Sequence, residues 1–560
     1  MGQPLSNAEI ADKLFGLAHL LAAQRENTFK VKAYRRAAKT VQTLGDSIVG
    51  LVRDGADLTQ FVGIGPAIAG VIREIVETGT TRQYQALESQ ISPEFVEILR
   101  YPRLDPKRVL RIYRKLNIGT IEELQQRLVS GEIARTLGPR LDQHVRRGLT
   151  DHAEILLHEA DRTVPVIKDF LIARCGVGTV EAAGDYRRRV EVIGEIHFLI
   201  ETADLPEVMS KLKTYGGKAD FVTANHRSAL FRLSSGLLLR ITAAPSEKWG
   251  VALLEATGSE THLEQLNLHG SGLAALFKSP TVYPTEAAAY AELGLPFIPP
   301  ELREGKGEIE LAAAGKLPAL LQEEHIRGEL HAHTTSSDGV DTVEVMAEAA
   351  RDRGLDYIGI SDHSQSLKIA RGLSISRLLN QLRFIDRLNE RLTGIRILKA
   401  AEVDILEDGS LDYPDDVLKE LDYTICSIHS RFGLNREAQT TRIRRAMDNR
   451  YFKILGHATG RLLLKRPGYE IDIDRVVEHA RTSGCFFELN SSPDRLDLSA
   501  DHARIAREAG VKMAVTTDAH STGELSFLRY GVDQARRAGL ERTFVLNALS
   551  WPDLSRALRR

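Results

Sequence analysis

GELHAHTTSSDG, residues 328–339, places His331 and His333 two positions apart and follows them with Asp338. On a strand, residues two apart face the same side, so the two imidazoles point together. The pattern recurs further along the chain. YIGISDHS (357–364) brings His363, ILKAAEVDIL (397–406) brings Glu402, and YTICSIHS (423–430) brings His429. KILGHATG (453–460) brings His457 and MAVTTDAHS (513–521) brings Asp518 and His520. FFELNSS (486–492) holds Glu488 and Asn490 but no comparable cluster. Each run reads as a strand, and helix-like segments separate them. This alternation predicts an α/β domain with a parallel sheet or barrel, whose chemistry sits where the strands end.

A lone histidine at a strand end is usually a hydrogen-bonded core residue. Six histidines, two aspartates and a glutamate at one end of successive strands call for another reason. No cysteine stands among them, so the donors suit Zn, Mn or Fe rather than a thiolate site. Nine ligands exceed the needs of one ion, which implies two or three closely spaced ions. Such clusters ionise water and neutralise phosphoryl charge, so phosphoester hydrolysis is the expected chemistry.

The motifs HAHTTSSDG, SDHS, AEVDI, SIHS, GHATG and TDAHS closely resemble those of the PHP (polymerase and histidinol phosphatase) family. That resemblance implies a distorted (β/α)7 barrel around a trinuclear centre. It implies that His331, His333, Glu402 and Asp518 bind one metal. Glu402 would bridge to a second, held with His429 and His457, and Asp338, His363 and His520 would hold a third. Glu402 and Asp518 are the expected catalytic carboxylates. Arg431, just past a ligand strand, could contact phosphate or equally be a surface charge.

Composition sets the frame. A chain of 560 residues is too long for one core, so about three to five compact units are expected. Apolar content of 43% with mixed charge suits a globular protein, and a net charge of −2 means that nucleic acid must meet local basic patches. Cys175, Cys426 and Cys485 lie far apart without CxxC spacing, which fits a reducing cytosol and excludes a disulfide framework. No apolar run reaches membrane-spanning length, so no membrane partner is expected. The expected location is cytoplasmic and bacterial, with the nucleoid when DNA is bound.

Toward the N-terminus, AEIADKLFGLAHLLAA has helical spacing and FKVKAYRRAAKTV crowds Lys30, Lys32, Arg35 and Arg36 without an acid. FVGIGPAIAGVIREIVETG (61–79) sets Gly63 and Gly65 before a helix. A Gly-x-Gly turn bares backbone N–H groups beside a positive helix end, which holds a phosphate without reading a base. The segment resembles a helix-hairpin-helix and is expected to track DNA phosphates. A second candidate at 103–124 has Asp105 where the motif usually has glycine, and a third at 135–145 keeps only Gly138. A structural role is expected for both.

AAGDYRRRVEVIGEIHFLI (182–200), EATGSETH (255–262) and LGLPFIPPELREGKGEIE (293–310) extend the likeness. The whole chain resembles bacterial family X DNA polymerases, in which a polymerase-beta-like core precedes a PHP domain. The resemblance implies a grip on gapped or 3′-ended duplex DNA. It also implies a manganese-dependent 3′–5′ exonuclease, with 3′-phosphatase activity in some members. The expected organisation is a helical DNA-binding domain over 1–85, a second helix-hairpin-helix region over 86–150, and a nucleotidyltransferase-like palm over 151–243. A thumb-like region and linker follow over 244–320, and the phosphoesterase domain spans 325–560.

The palm departs from the family pattern. The family places two aspartates in a Gly-Asp-x-Asp strand motif and a third on the next strand, to hold magnesium. Here those positions are Glu195, His197 and Leu238. Magnesium requires hard oxygen ligands in octahedral array, which this set cannot supply. Asp185 stands where the family has serine and would repel a triphosphate, although Arg187 and Arg188 remain. Val71 stands where a lyase lysine would be, so lyase chemistry through that group is not expected.

The expectation is therefore a repair enzyme that hydrolyses DNA ends with a silent palm. The alternatives are a gap-filling polymerase, a non-catalytic DNA-end scaffold and a small-molecule phosphatase.

Overall fold

The computed structural model describes residues 5–23, 27–88, 104–149, 153–217, 219–233 and 235–559. Two compact units divide it, Met1–Phe297 and Ile298–Arg560.

The first unit begins with the helices Asn7–Ala23, Thr28–Thr43, Ile48–Arg53 and Pro66–Thr78. Ile10, Leu14, Leu17 and Leu21 recur at helical spacing and bury against Val31, Tyr34, Val41, Ile68 and Ile72. The side chain of Asn27 caps the second helix by accepting the Phe29 N–H at 2.9 Å. Gly79, at φ +77°, ends the fourth in the left-handed conformation that suits glycine. Helices Pro106–Leu116, Ile121–Val129, Glu132–Leu137 and Pro139–Leu149 form a second cluster around Val109, Ile112, Leu124 and Val145. Here the Asp105 N–H donates to His144 Nε2 at 2.9 Å. A backbone donor that a phosphate would need is thus used internally.

Next come β1 (Ile155–Leu156), β2 (Val180–Ala183), β3 (Val192–Ile193), β4 (Glu195–Ile200), β5 (Asp220–Ala224), β6 (Ser228–Arg232) and β7 (Leu238–Ala243). β1 and β3 pair as a short antiparallel ribbon, and the others form one sheet in the order β2-β4-β7-β6-β5. Only β4 and β7 run parallel within it, with Glu195 opposite Leu238 and His197 opposite Arg240. Ile196 and Phe198 are fully buried, whereas Glu195 and His197 share the half-buried face, as a period of two requires.

The second unit carries β8 (Gly328–Ala332), β9 (Tyr357–Ile360), β10 (Arg396–Asp404), β11 (Tyr423–Ser427), β12 (Ile454–Leu455), β13 (Phe486–Asn490) and β14 (Met513–Thr516). All pair in parallel, each with its neighbour in sequence. Their near-continuous burial is what a parallel sheet covered on both faces demands. The sheet curls almost shut. The His333 N–H donates to the Ala519 carbonyl at 2.8 Å, and the Ala519 N–H to that of His331 at 3.2 Å. The buried carboxyl of Glu329 reinforces the seam by accepting from the N–H groups of Leu330, His331 and Thr517 at 2.8–3.2 Å. Leu398 and Ala400, on the Glu402 face of β10, pack with Leu330, Tyr423, Ile454 and Leu558 into a plug beneath the strand ends. The result is a nearly closed seven-stranded parallel barrel.

Candidate metal centre

The strand ends bring all nine expected ligands into one continuous cluster with Glu402 at its centre. Glu402 Oε2 lies 2.7 Å from His363 Nδ1, 3.5 Å from His331 Nε2 and 3.6 Å from His333 Nε2. Its Oε1 lies 2.9 Å from His457 Nε2 and 3.3 Å from His429 Nε2. Asp518 Oδ1 lies 3.1 Å from His333 Nε2 and 3.5 Å from His331 Nε2. Asp338 reaches His520 and His363 at 3.5 Å and His333 at 3.8 Å. Six of the nine are buried, and Asp338, His429 and His520 line the more open side.

Ligand-type atoms gather in three groups within 4.8 Å: His333, Asp338, His363 and His520; His331, His333 and Asp518; and His363, Glu402 and His429. Three places for a cation thus emerge, although His333 and His363 each serve two groups. His457 joins through Glu402.

The donor set fits divalent ions. His331 Nε2, His333 Nδ1 and His457 Nδ1 are buried without a hydrogen-bond partner, and Glu402 Oε2 and His363 Nδ1, though 2.7 Å apart, are not aligned for a hydrogen bond. Partnerless buried atoms occur elsewhere among the described residues, but here they gather on one set of imidazoles and a carboxylate, which suits a cation. The electrostatics agree. Burial disfavours charge on His331, yet Glu488, Asp518 and Glu402 raise its pKa well above the usual value. Against the same burial, Glu402 lifts His363 to about 10 and His429 to about 9. The carboxylates demand positive charge, which divalent ions would supply in place of protons.

A supporting layer escaped the sequence reading. Glu488 accepts from His331 Nδ1 and the His457 N–H, both at 2.5 Å, and from Thr516 Oγ1 at 2.6 Å. Asp404 accepts from His429 Nδ1 at 2.6 Å and from Ser366 Oγ at 2.7 Å. Such contacts fix the tautomer and ring orientation of a ligating histidine. Asp404 stood two residues after Glu402 in a strand, a spacing that could have revealed it. Glu488 carried only its position at a strand end. Arg495 Nε approaches Asp518 Oδ2 at 3.5 Å from a partly open position. Arg431 instead pairs with Glu407 at 2.8 Å, both side chains being largely exposed.

Asp518 holds φ at +53°, a left-handed backbone that costs a non-glycine residue energy and recurs at functional sites. Gly456, just before His457, allows close packing: a Cβ there would stand 2.3 Å from Ser427 Oγ.

In the first unit, Glu195 takes both prongs of Arg240, at 2.6 and 2.8 Å. His197 Nε2 pairs with Thr242 Oγ1 at 2.9 Å, and burial and then Arg240 lower its pKa to about 4. Leu238 faces Glu195 in the strand register. Asp185 pairs with Arg188 at 2.5 Å, and Arg187 takes both oxygens of Glu286 at 2.6 and 2.7 Å.

Lys30, Lys32, Arg36, Gly63 and Gly65 line one groove of about 940 Å³, together with the exposed Phe29. Arg35 is exposed outside that lining. Gly63 holds φ at +89°, and a Cβ there would meet Arg36 Cγ at 2.6 Å.

Comparison with known proteins accords with this architecture. A helix-hairpin-helix domain model matches residues 5–81 and a PHP domain model matches residues 329–492. The chain is 32% identical to the DNA polymerase/3′-5′ exonuclease PolX of Bacillus subtilis, over 97% of this chain and 98% of that protein. A probable phosphatase of Thermoanaerobacter sp. is 32% identical over 39% of this chain and 89% of its own length. One from Acetivibrio thermocellus is 29% identical over 35% of this chain and 80% of its own. Fold and site together define a PHP-domain protein with an N-terminal helix-hairpin-helix domain. Matched nearly end to end by the Bacillus protein, the chain belongs to the PolX family, the bacterial family X DNA polymerases.

Proposed function

We propose that the chain is a metal-dependent phosphoesterase that hydrolyses DNA ends in repair, as a 3′–5′ exonuclease, a 3′-phosphatase or both, and that its palm no longer transfers nucleotides. One observation carries this reading: nine imidazoles and carboxylates gather at the strand ends of the barrel, with five of the histidines directly around the buried Glu402. The Bacillus relative's name pairs polymerase with 3′–5′ exonuclease, and shorter relatives are named as probable phosphatases.

His331, His333, Glu402 and Asp518 would hold one ion, Glu402 with His429 and His457 a second, and Asp338, His363 and His520 a third. Mn or Zn suits these donors, and Fe also fits. When bound, such ions supply a water ionised near neutral pH and neutralise phosphoryl charge. The chain's own residues do the rest. Glu488 and Asp404 orient His331 and His429. Arg495, beside Asp518, is poised to receive a phosphate oxygen. Arg431 spends its Nε on Glu407 and keeps its other N–H groups for a phosphate. Lys30, Lys32, Arg35, Arg36 and the Gly63–Gly65 turn would follow the backbone of a gapped or 3′-ended duplex.

Polymerisation by the palm would need oxygen ligands for magnesium. Glu195 is committed to Arg240, His197 is held neutral, and Leu238 offers none. Arg187 is likewise committed to Glu286. A labelled primer on a gapped template, with manganese and all four nucleotides, tests both halves. Shortening that Asp518→Ala abolishes is the expected result. Lengthening of the primer would refute the silent palm.

A further inference from the structure

The loop that follows His363 carries a feature that metal binding does not use. Ile369 is 94% exposed, more than any other large apolar side chain among the described residues. Exposed Lys368 and Arg371 stand close to it in sequence. The loop is firmly held. The Leu373 N–H donates to the His363 carbonyl at 2.8 Å, and the N–H groups of Ala370 and Gly372 both reach the Leu367 carbonyl at 3.1 Å. Gly372 is required for this closure, since a Cβ would stand 1.9 Å from the Ser364 carbonyl oxygen. Arg377 clasps the loop to its neighbour. It donates to the Arg371 carbonyl at 2.9 Å and also to the Ser336 carbonyl, two residues before Asp338. Ser366 ties the base of the loop to Asp404, which orients His429.

A rigid loop that spends no apolar burial on its tip is built for contact with something else. Its charges favour a polyanion, and its apolar tip favours the face of a base. Six of the nine ligands are buried and the cluster opens only on the side of Asp338, His429 and His520, so a terminal phosphodiester reaches it more easily once the last nucleotide has left the duplex. Enzymes that act on stacked nucleotides commonly insert apolar side chains between base steps for that purpose.

We propose that Ile369 is a wedge that parts the last base pair of a 3′-ended duplex, with Lys368 and Arg371 holding the flanking phosphates, so that the terminal nucleotide enters the metal centre. The inference rests on the DNA-end reading above. The wedge matters for paired ends and is idle on single strands.

The test uses the full chain with manganese, as wild type, Ile369→Ala and Ile369→Leu. Three substrates are compared: a recessed 3′-ended duplex, the same strand alone, and the p-nitrophenyl ester of thymidine 5′-phosphate. Ile369→Ala should lose about tenfold on the duplex and stay within about twofold on the other two, and Ile369→Leu should recover the duplex rate. A second readout needs no turnover. With manganese present and a terminal methylphosphonate linkage that resists hydrolysis, 2-aminopurine at the 3′ end of the duplex should brighten with the wild type and not with Ile369→Ala. An unchanged duplex-to-single-strand ratio, or no brightening with the wild type, overturns the wedge alone. Hydrolysis of the small ester without shortening of any DNA overturns the DNA-end reading and the wedge with it.

Discussion

Glu195 and Arg240 meet across the parallel strands β4 and β7 as a two-pronged ion pair, with Nε–Oε1 at 2.6 Å and Nη2–Oε2 at 2.8 Å. The carboxylate that would be asked to hold a metal is already neutralised by a side chain on the same sheet. Removing either partner leaves a half-buried charge uncompensated. Glu195→Ala and Arg240→Ala should each destabilise the first unit by about 1–2 kcal/mol, and the double variant should lose less than the sum. Urea unfolding followed by Trp249 fluorescence in a Trp551→Phe background measures this. Shortening of DNA by the same variants should be unchanged.

His197 gives the first unit a pH signature. Its folded pKa is lowered to about 4, against an ordinary 6.5. As pH falls through that window, the unfolded chain takes up a proton that the folded chain refuses. Stability therefore drops from pH 6.5 toward 4 and is regained as pH rises. The share of His197 is at most about 3 kcal/mol, and His197→Gln should remove that share while leaving the part owed to His19 and His144, whose pKa values burial also lowers. Unfolding midpoints at pH 5 and 7 for both proteins provide the check.

Glu488 is a positioning residue whose charge is shared between His331 and the His457 backbone. Glu488→Gln keeps the shape and weakens the orientation of both. Manganese affinity should fall by about 10–100-fold, read by calorimetric titration of the metal-free chain. An unaltered affinity would separate Glu488 from the metal centre.

The groove of the first hairpin should act through phosphates alone. Lys30→Ala and Lys32→Ala should each reduce the slope of log affinity against log salt by about one, with equal weakening across DNA sequences. Gly63→Ala should weaken binding as well, because its φ of +89° and the nearby Arg36 leave no room for a Cβ. Fluorescence anisotropy of a labelled gapped duplex at several salt concentrations measures each.

Treating the chain with EDTA should lower the melting temperature of the second unit, and manganese should restore it. Ions that bind only the folded cluster stabilise it by mass action. Calorimetry of wild type and Asp518→Ala distinguishes this from a general salt effect, since the variant should respond less.

The barrel was legible because each ligand ends its own apolar run, so His331, His363, Glu402, His429, His457 and Asp518 each announced a strand. β12 is only two residues long, Ile454–Leu455, yet His457 still marked it. The supporting carboxylates were harder. Asp404 and Glu488 lie in strands as the ligands do; the spacing from Glu402 placed Asp404 near the cluster, but residue type alone does not separate a group that touches a cation from one that touches its ligand. The Glu195–Arg240 pair required the pairing register. Arg240 stands opposite His197, but its long side chain reaches back to Glu195, a diagonal contact that local pattern does not encode. The same holds for Arg187 and Glu286, which lie 99 residues apart.

The seam between His333 and Ala519 also governs the order in which the chain acquires its parts. Translation delivers the hairpin helices before the barrel, and Asp518 and His520 after the seven other expected ligands. A chain still leaving the ribosome can fold its N-terminal helices as a unit, yet the barrel stays open until its final strand has been made. If the hairpin holds DNA and the barrel cuts it, as proposed above, a copy that lacks the last strand would grasp without cutting.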